Sequence, residues 1–498
     1  MLTPEYLDHV GDELLDLYSK LDESILQDIT RRLVKAGKAT ATAQWQIWRA
    51  QESGLLYDDI IAEAAKLSGT SDQYVRAIFE DAGAVSVSYD NRIYEAAGLT
   101  PLPIKSSPSA AQVLYAGIEK TAGHLNNLTM TTASTAQQVF IQAATLAEMQ
   151  VESGAFDYVT AIRNAVREAS KESKWISYPS GHHDRIDVAM RRAVLTGVSQ
   201  TTGQISMAYA KDMGCDLMEI TAHAGARPSH ALWQGQIVSL SGRAGYLSLS
   251  DIGYGTGAGF KGWNCRHDWY PFFEGRSESA YPRREIEAYN NATVRYDGRT
   301  IPLYDATQMQ RAMEREIRDT KRLLAGLDAG IEETSDGALK AALKQDFTAK
   351  SALLKRQEAA LKEFLRETGL LNDSSRVQVY GFGRSQASKA VWAVKNNTLT
   401  NAAGHTIIKV ERVKITGTPN SITQKTNKKG GVDRNYYGPD GKQTKQISNN
   451  GHGHTKEEAM GNHGEHAHDY FQDENGIPKH GPARELTEKE RKENRDIL

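Results

Sequence analysis

Apolar positions near the start of the chain follow the spacing of an α-helix. They recur every three or four residues, at Leu14, Tyr18, Leu21, Ile25, Ile29 and Leu33. Such a stripe predicts an amphipathic helix that packs against neighbouring helices. Three prolines in AAGLTPLPIKSSPSAAQ then interrupt the pattern, and we interpret this stretch as a linker.

Helical spacing resumes from about residue 109 to 213 and again from about residue 304. The later segment contains two apolar stripes separated by GIEETSDGA, which predicts two antiparallel helices or a coiled-coil hairpin. Between 214 and 275 the helical period is lost and glycine becomes frequent. There CDLMEITAHAG and GQIVSLSG have the composition of short strands, so we expect a small α+β module.

The texture of the sequence changes once more near residue 400. A basic, strand-like segment is followed by a stretch rich in Gly and His, and ELTEKERKENRDIL predicts a charged terminal helix. The fold class that we predict is α+β: a predominantly helical multidomain protein with a small central α+β module, a helical hairpin and a small C-terminal α+β domain. The predicted regions are N-terminal helical (1–105), second helical (106–213), central module (214–275), helical hairpin (276–375), linker (376–399) and C-terminal His-rich domain (400–498).

Composition narrows the functional classes only in part. A length of 498 residues predicts two to four domains. The 60 basic and 62 acidic residues give a formal charge of −2, so no global field marks the chain as a binder of nucleic acid or membranes. Any such surface must be local.

Cysteine use and the N-terminal sequence indicate a compartment. Cys215 and Cys265 are the two cysteines, which excludes a disulfide framework and suits a reducing compartment such as the bacterial cytoplasm. The acidic start MLTPEYLDHVGDELLDLY lacks the features of a signal peptide, and no run reaches the roughly 18 apolar residues of a membrane span. We therefore expect neither secretion by the usual route nor anchoring in a bilayer.

The stretch GWNCRHDWYPF, from Gly262 to Phe272, holds the densest chemistry outside the tail. Together with ARPSHALWQGQIVSLSG it offers His230, Cys265 and His267 as three ligands for zinc, although structural zinc sites usually have four ligands and a close Cys pair. A nucleophilic Cys265 is a second interpretation, but no surrounding motif activates a thiolate.

A third interpretation of this stretch is structural. Its aromatic rings bury area, and Arg227, Arg266 and Asp268 can form an ionic network. The intervening GYGTGAGFKG lacks the Lys-Ser/Thr ending and the flanking elements of a phosphate loop, so we interpret it as a flexible glycine-rich loop.

Four segments carry a resemblance to a known family. GARPSHALWQGQIVSLSG, GYGTGAGFKGWNCRHDWYPFFEG, YDATQMQRAMEREIRDTKR and GFGRSQASKA occur in the order found in the phage minor capsid protein 2 family, which is related to the Mu F-like head-morphogenesis proteins. The resemblance covers roughly residues 1–390. It implies a structural minor head protein of a tailed phage or prophage that acts in head assembly, portal-proximal contacts or DNA ejection.

The same resemblance implies partners, location and an expected absence of catalysis in residues 1–390. The expected partners are portal and capsid proteins within a larger virion assembly, and the expected locations are the virion and, during assembly, the host cytoplasm. No cofactor is expected, with zinc as the alternative.

The Mu F-like pattern has an Arg and a His in one motif and Asn-Cys-Arg-Cys in the other, and the matching residues are Arg227, His230, Asn264, Cys265 and Arg266. His267 replaces the second Cys, which leaves a metal or redox role open.

The tail requires a separate interpretation. His452, His454, His463, His466 and His468 fall within seventeen residues. Imidazoles can supply the acid and base of a metal-independent ribonuclease, for which we name His454, His463, His466 and His468 as candidates.

Two other interpretations of the tail remain. The side chains of His463, His466 and His468, with Glu465 or Asp469, can bind a divalent metal. The tail is also similar in placement and size to the polymorphic-toxin extensions of Mu F-like proteins. We therefore keep open a noncatalytic partner-binding module, a nuclease-like toxin in contact with nucleic acid and a metal-binding structural domain.

Overall fold

The computed structural model describes residues 1–36, 42–154, 156–178, 181–428, 430–474 and 478–498. Long helices dominate the first 400 residues. In chain order the α-helices are α1 (Pro4–His9), α2 (Asp12–Lys35), α3 (Thr42–Ala96), α4 (Pro108–Glu152), α5 (Tyr158–Glu172), α6 (Ile186–Asp212), α7 (Arg283–Asn290), α8 (Leu303–Glu333), α9 (Gly337–Thr368), α10 (Arg384–Asn397), α11 (Thr455–Glu458) and α12 (Glu488–Asn494).

The strands are short and form separate sheets. In chain order they are β1 (Trp175–Ser177), β2 (His183–Arg185), β3 (Leu217–Ile220), β4 (Ile237–Ser239), β5 (Leu247–Ser248), β6 (Trp269–Phe272), β7 (Thr293–Tyr296), β8 (Arg299–Pro302), β9 (Thr398–Thr400), β10 (Thr406–Lys409), β11 (Ile422–Thr426), β12 (Val432–Tyr437), β13 (Gln443–Ser448), β14 (His466–Gln472) and β15 (Pro478–His480). This architecture confirms the predicted fold class.

Two hydrophobic cores share the same long helices. The module-side core takes Leu14 and Tyr18 from α2, and the hairpin-side core takes Leu21 and Ile25 from that same unbroken helix. Helices α3 and α4 also contribute buried side chains to both cores. The apolar stripe predicted for α2 is buried along its whole length, because it packs against α3, α5, α6 and α8.

Helix ends follow from capping residues that are visible in the sequence. Ser107 accepts a hydrogen bond from the Ala110 N–H, and Pro108 occupies the first turn of α4. Asp336 caps α9 in the same way, and Gly369 ends that helix in the left-handed conformation, at φ 70°. The three-residue connection between α8 and α9 closes the predicted helical hairpin.

The central module is a small sheet laid on the helices. Its strand order is β5-β4-β3-β6, with β3 antiparallel to both β4 and β6. Every residue of β3 and β6 is buried, because the sheet packs against α3 and α6 on the module-side core. The loops on either side of these strands carry the candidate residues of the first site.

Strands β9 to β15 form one C-terminal sheet in the order β15-β14-β13-β12-β11-β10-β9. Neighbouring strands are antiparallel except β10 and β11, which are parallel. A loop of this sheet docks on the helical body, where Thr418 donates to Asp346 at 2.5 Å. Arg163 of α5 pairs with the same buried carboxylate of α9 at 2.6 Å, so the Thr418 hydroxyl docks the sheet on an ion pair between these two helices.

The predicted region boundaries do not coincide with separate cores. The N-terminal and second helical regions (1–105 and 106–213) share both cores, because α3 and α4 are too long to bury their stripes within one region. The segment 376–399, predicted as a linker, holds α10, whose Ala390 and Ala393 are buried in the hairpin-side core. In the parts of the chain that the structure describes, no helix combines the length and the hydrophobicity needed to cross a bilayer.

Candidate metal centres

The central sheet brings the first candidate residues together. Strand β6 pairs with β3 so that Trp269 lies opposite Ile220, which places the end of the GWNCRHDW motif beside the turn that follows β3. That turn carries His230, and the Trp233 N–H donates to its carbonyl oxygen at 3.2 Å. Residues 35 positions apart therefore meet, as the sequence predicted they could.

Cys265 lies between two imidazoles, and we call His230, Cys265 and His267 the central triad. The Cys265 Sγ is 3.6 Å from the His267 Nδ1 and 4.0 Å from the His230 Nδ1, and all three residues are buried. The other ring nitrogens have acceptors: the His230 Nε2 donates to the Ala258 carbonyl oxygen at 3.0 Å, and the His267 Nε2 to the Gln234 Oε1 at 3.2 Å. Both Nδ1 lone pairs therefore face the sulfur.

Gln234 fixes the tautomer of His267. Its Nε2 donates to Asn290 at 2.6 Å, and its Oε1 accepts the His223 backbone N–H at 3.0 Å, so the oxygen faces His267. This buried residue was not predicted from the sequence, because a lone glutamine has no spacing that marks it. It takes the place of the carbonyl or carboxylate that usually orients a metal-binding histidine.

Electrostatics keep the central triad neutral. Burial raises the pKa of the Cys265 thiol, and burial lowers the pKa of His230 and holds that of His267 well below its usual value. A neutral thiol is a poor nucleophile, so the geometry does not favour cysteine catalysis. In tetrahedral zinc coordination a nitrogen and a sulfur ligand lie about 3.6 Å apart, which the donor spacing fits. The thiol S–H can equally donate to one imidazole and close the cluster without an ion.

The ionic network predicted for Arg227, Arg266 and Asp268 does not form, because each finds a different partner. Arg227 donates to the Trp263 carbonyl oxygen at 3.2 Å, and Arg266 pairs with Asp8 of α1 at 2.5 Å. Asp268 pairs instead with Lys261, which belongs to the glycine-rich loop that we expected to be flexible.

Lys261 and Asp268 form a fully buried ion pair, with side chains 1% and 0% exposed. Asp268 also accepts the Leu2 and Trp269 backbone N–H groups. Burial acts to raise the pKa of Asp268, but the Lys261 ammonium holds it below the usual value. Asn264 adopts the left-handed region at φ 55°, which asparagine tolerates better than most residues, and so turns the motif between this pair and Cys265.

The C-terminal sheet holds a second cluster, which we call the tail triad: Glu457, His466 and His468. Strand β14 places His466 and His468 on one face and the buried Ala467 on the other, as the period of a strand requires. Helix α11 carries Glu457 over that face, with its carboxylate oxygens 3.8 Å from the His466 Nε2 and 3.9 Å from the His468 Nε2.

The remaining tail candidates lie outside this triad. His454 and His463 are both exposed, His454 directly before α11 and His463 in the loop ahead of β14. Glu465 accepts the His463 backbone N–H at 2.7 Å and pairs with Arg491 at 3.0 Å.

Asp469 is also engaged elsewhere, since it pairs with Arg484 at 2.5 Å. The carboxylate beside the imidazoles is thus Glu457, which our sequence analysis did not name. Burial lowers the pKa of His468, which favours its neutral form.

The sequence model of a family described as "Phage minor capsid protein 2" matches residues 2–366. A "Structural protein" of Lactococcus phage LL-H is 25% identical over 302 residues, which cover 57% of this chain and 78% of that protein. A "Structural protein" of Lactococcus phage mv4 is 36% identical over 78 residues, which cover 16% of this chain and only 54% of that protein. No solved structure gives a significant match.

Proposed function

Because this chain belongs to the phage minor capsid protein 2 family, we propose that it acts in assembly of the phage head through contacts with portal and capsid subunits. Family membership makes it a structural protein of a phage, and the similarity to two phage proteins described as structural supports a place in the virion. The role in assembly needs a surface that partners can bind.

The observation that carries this proposal is a group of exposed apolar side chains at one end of the α3/α4 helix pair. Ile47 and Leu55 of α3 are 58% and 53% exposed, and Met149 of α4 is 63% exposed. Arg49 donates to Thr145 at 2.7 Å, which shows that the start of α3 lies beside the end of α4. We call this end the helical tip.

The helical tip is held on a rigid support. The Trp45 Nε1 donates to the Ala144 carbonyl oxygen at 3.2 Å, and Arg49 pairs with Glu148 at 3.0 Å. Single exposed apolar residues are common on protein surfaces, whereas several at one end of a rigid rod favour burial against a partner. The tip therefore supports docking on subunits of the head.

Incorporation into particles tests this proposal. The chain is produced together with the portal and major capsid proteins of the phage that encodes it, and its copies per purified particle are measured by quantitative mass spectrometry. We expect the double variant Ile47→Ser with Met149→Ser to lower the copy number several-fold without changing the melting temperature. Val391→Ser removes an equally exposed apolar side chain on α10, at 69% exposure, and serves as the matched control. Unchanged incorporation of the double variant would contradict a docking role for the tip.

The tail triad favours a second candidate function, an effector carried on the virion with a nuclease-like C-terminal domain. The Nε2 atoms of His466 and His468 face the same carboxylate, an arrangement that can supply acid and base chemistry to a phosphodiester. The full chain is incubated with RNA and with DNA beside His468→Ala. Cleavage that this variant loses supports the effector, and equal results for both proteins argue against it.

A further inference from the structure

The tail triad brings three hydrogen-bond acceptors together. The His466 Nδ1–H donates to the Gly464 carbonyl oxygen at 2.9 Å, and the His468 Nδ1–H donates to the Gly481 carbonyl oxygen at 2.9 Å. Each ring therefore directs its other nitrogen, Nε2, toward Glu457. These two nitrogens and the carboxylate oxygens are ligand atoms that face one another, an arrangement that suits a cation at the centre of the triad.

The Nε2 of His466 lies in the most enclosed part of the triad. The residue is 0% exposed, and this nitrogen has no hydrogen-bond partner among the described residues. The nearest carboxylate oxygen is 3.8 Å away, beyond the length of a hydrogen bond. A buried acceptor without a partner is unfavourable, and an ion is one of the groups that satisfies it.

Two neighbouring imidazoles, those of His452 and His480, are directed away from this nitrogen. His452 lies edge-on to His466, with ring centroids 5.5 Å apart, but its Nε2 is directed to the Ser448 Oγ at 3.1 Å. His480 lies edge-on to His468 at 5.0 Å, and its Nδ1 is directed to the Gly481 carbonyl oxygen at 3.1 Å. Both rings line the triad without donating into it.

The backbone holds the triad in place. Strand register sets His466 opposite Ser448 and His468 opposite Gln446. Gly464 has φ 83°, and a Cβ at this position would lie 2.6 Å from the Gly451 backbone nitrogen. Only glycine therefore allows the loop that carries α11 to fold back tightly onto β14. The ligand atoms lie within 4.8 Å of one another before any ion is bound.

We propose that Glu457, His466 and His468 bind a divalent transition-metal ion, with zinc the best fit. Two imidazole nitrogens and one carboxylate oxygen are a ligand set that zinc accepts, and the carbonyl oxygens on both Nδ1–H groups are the orienting contacts that such ligands normally have. The side chains of Glu457 and His468 are 17% and 13% exposed, so the fourth coordination position opens toward solvent on their side. Water or an anionic oxygen ligand can occupy it.

Metal binding by the full chain tests the proposal. The protein is stripped with a chelator, dialysed against zinc and analysed by mass spectrometry for zinc per chain, and zinc affinity is measured by calorimetry. We expect Glu457→Gln and His468→Ala to lower the zinc content by one equivalent per chain relative to the wild type. We expect the affinity of that equivalent to fall at least about 100-fold, since loss of an orienting contact alone costs about 10- to 100-fold.

Two matched controls keep the test independent of folding. Glu458→Gln makes the same change one residue away on α11, and His463→Ala removes an exposed imidazole of the same loop. Both should keep the wild-type zinc content, and circular dichroism should show the same fold for all four variants. The proposal is overturned if Glu457→Gln and His468→Ala hold as much zinc as the controls. It is also overturned if the wild type binds no equivalent that depends on Glu457.

Discussion

The two triads orient their imidazoles through opposite ring nitrogens. The central triad can close without an ion, whereas the tail triad suits a bound cation. In the central triad the Nε2 atoms are pinned and the Nδ1 atoms face Cys265, whereas in the tail triad the Nδ1 atoms are pinned and the Nε2 atoms face Glu457. A neutral thiol can donate to an imidazole and close the central group. An ionised carboxylate cannot, so the tail group lacks a positive charge at its centre.

Burial follows the same division. All members of the central triad are buried, and the Trp233 ring of the module-side core packs against both imidazoles. The tail triad lies on a strand face covered by the four-residue helix α11, and two of its members reach solvent. The identity of the third side chain and the degree of burial, more than the number of histidines, therefore separate a packed structural site from one that can bind a ligand.

The loss of the carboxylate that pairs with Lys261 should lower the unfolding free energy more than any other change considered. Asp268→Ala leaves Lys261 buried and unpaired, which typically costs about 3 to 5 kcal/mol of unfolding free energy. Denaturant unfolding followed by tryptophan fluorescence measures it, because Trp233 and Trp269 lie in the same core. Glu274→Ala breaks an exposed ion pair of the same module and should leave stability almost unchanged. Equal midpoints for the two variants would show that the buried ion pair contributes no more to stability than the exposed one.

Changes in the central triad itself should have the next largest effect. We expect Cys265→Ser and His267→Ala to lower the unfolding free energy by about 2 to 4 kcal/mol, because they leave a cavity or an unpaired polar atom in the core. The loss should be the same with and without a chelator if packing alone closes the triad. A chelator that destabilised the wild type as much as the mutations do would instead make the central triad a zinc site.

The loss of stability should be smaller when an acid-sensitive ion pair of the C-terminal sheet is removed. The Arg484 guanidinium holds the pKa of Glu490 well below its ordinary value of 4.5, against the effect of burial and with help from Lys445. The folded state therefore binds fewer protons at Glu490, and this part of the stability is present above about pH 4.5 and lost as the pH falls through the lowered pKa. We expect Glu490→Gln to cost about 1 to 2 kcal/mol at pH 7 and little at low pH.

Amide hydrogen exchange of peptides from 443–472, compared with the wild type at each pH, measures this difference within the full chain. Peptides of the central module are the internal control and should exchange equally in both proteins. Faster exchange in both regions would show that the two regions unfold together. That outcome would break the comparison between them.

The sequence predicted the elements in which the spacing of apolar residues repeats over many turns or changes abruptly. The stripes of α2, α8 and α9 and the change of texture at the central module all follow from spacing. The hairpins β1–β2 and β7–β8 were not predicted, since strands of three or four residues are too short to show a period. The segment that contains α10 was predicted as a linker, and in the structure the buried residues of this helix are Ala390 and Ala393.

The candidate sites divide in the same way. His230, Cys265 and His267 were named because two motifs place ligand types in fixed order, and the structure brings them together. Gln234 and Glu457 were not predicted, because glutamine and glutamate are common throughout the chain. Only long-range contacts in the structure identify these two as site residues. The glycine turn that lays α11 on β14 cannot be foreseen from local preferences.

The course of α2 through both cores has a mechanical consequence. A single helix of 24 residues carries side chains into the module-side core at one end and into the hairpin-side core at the other. To pull the cores apart, a force has to break the helical hydrogen bonds or extract one end of the helix from its core. The helical body should therefore unfold under tension as one unit, and a force applied at one end should be transmitted to the other with little deformation.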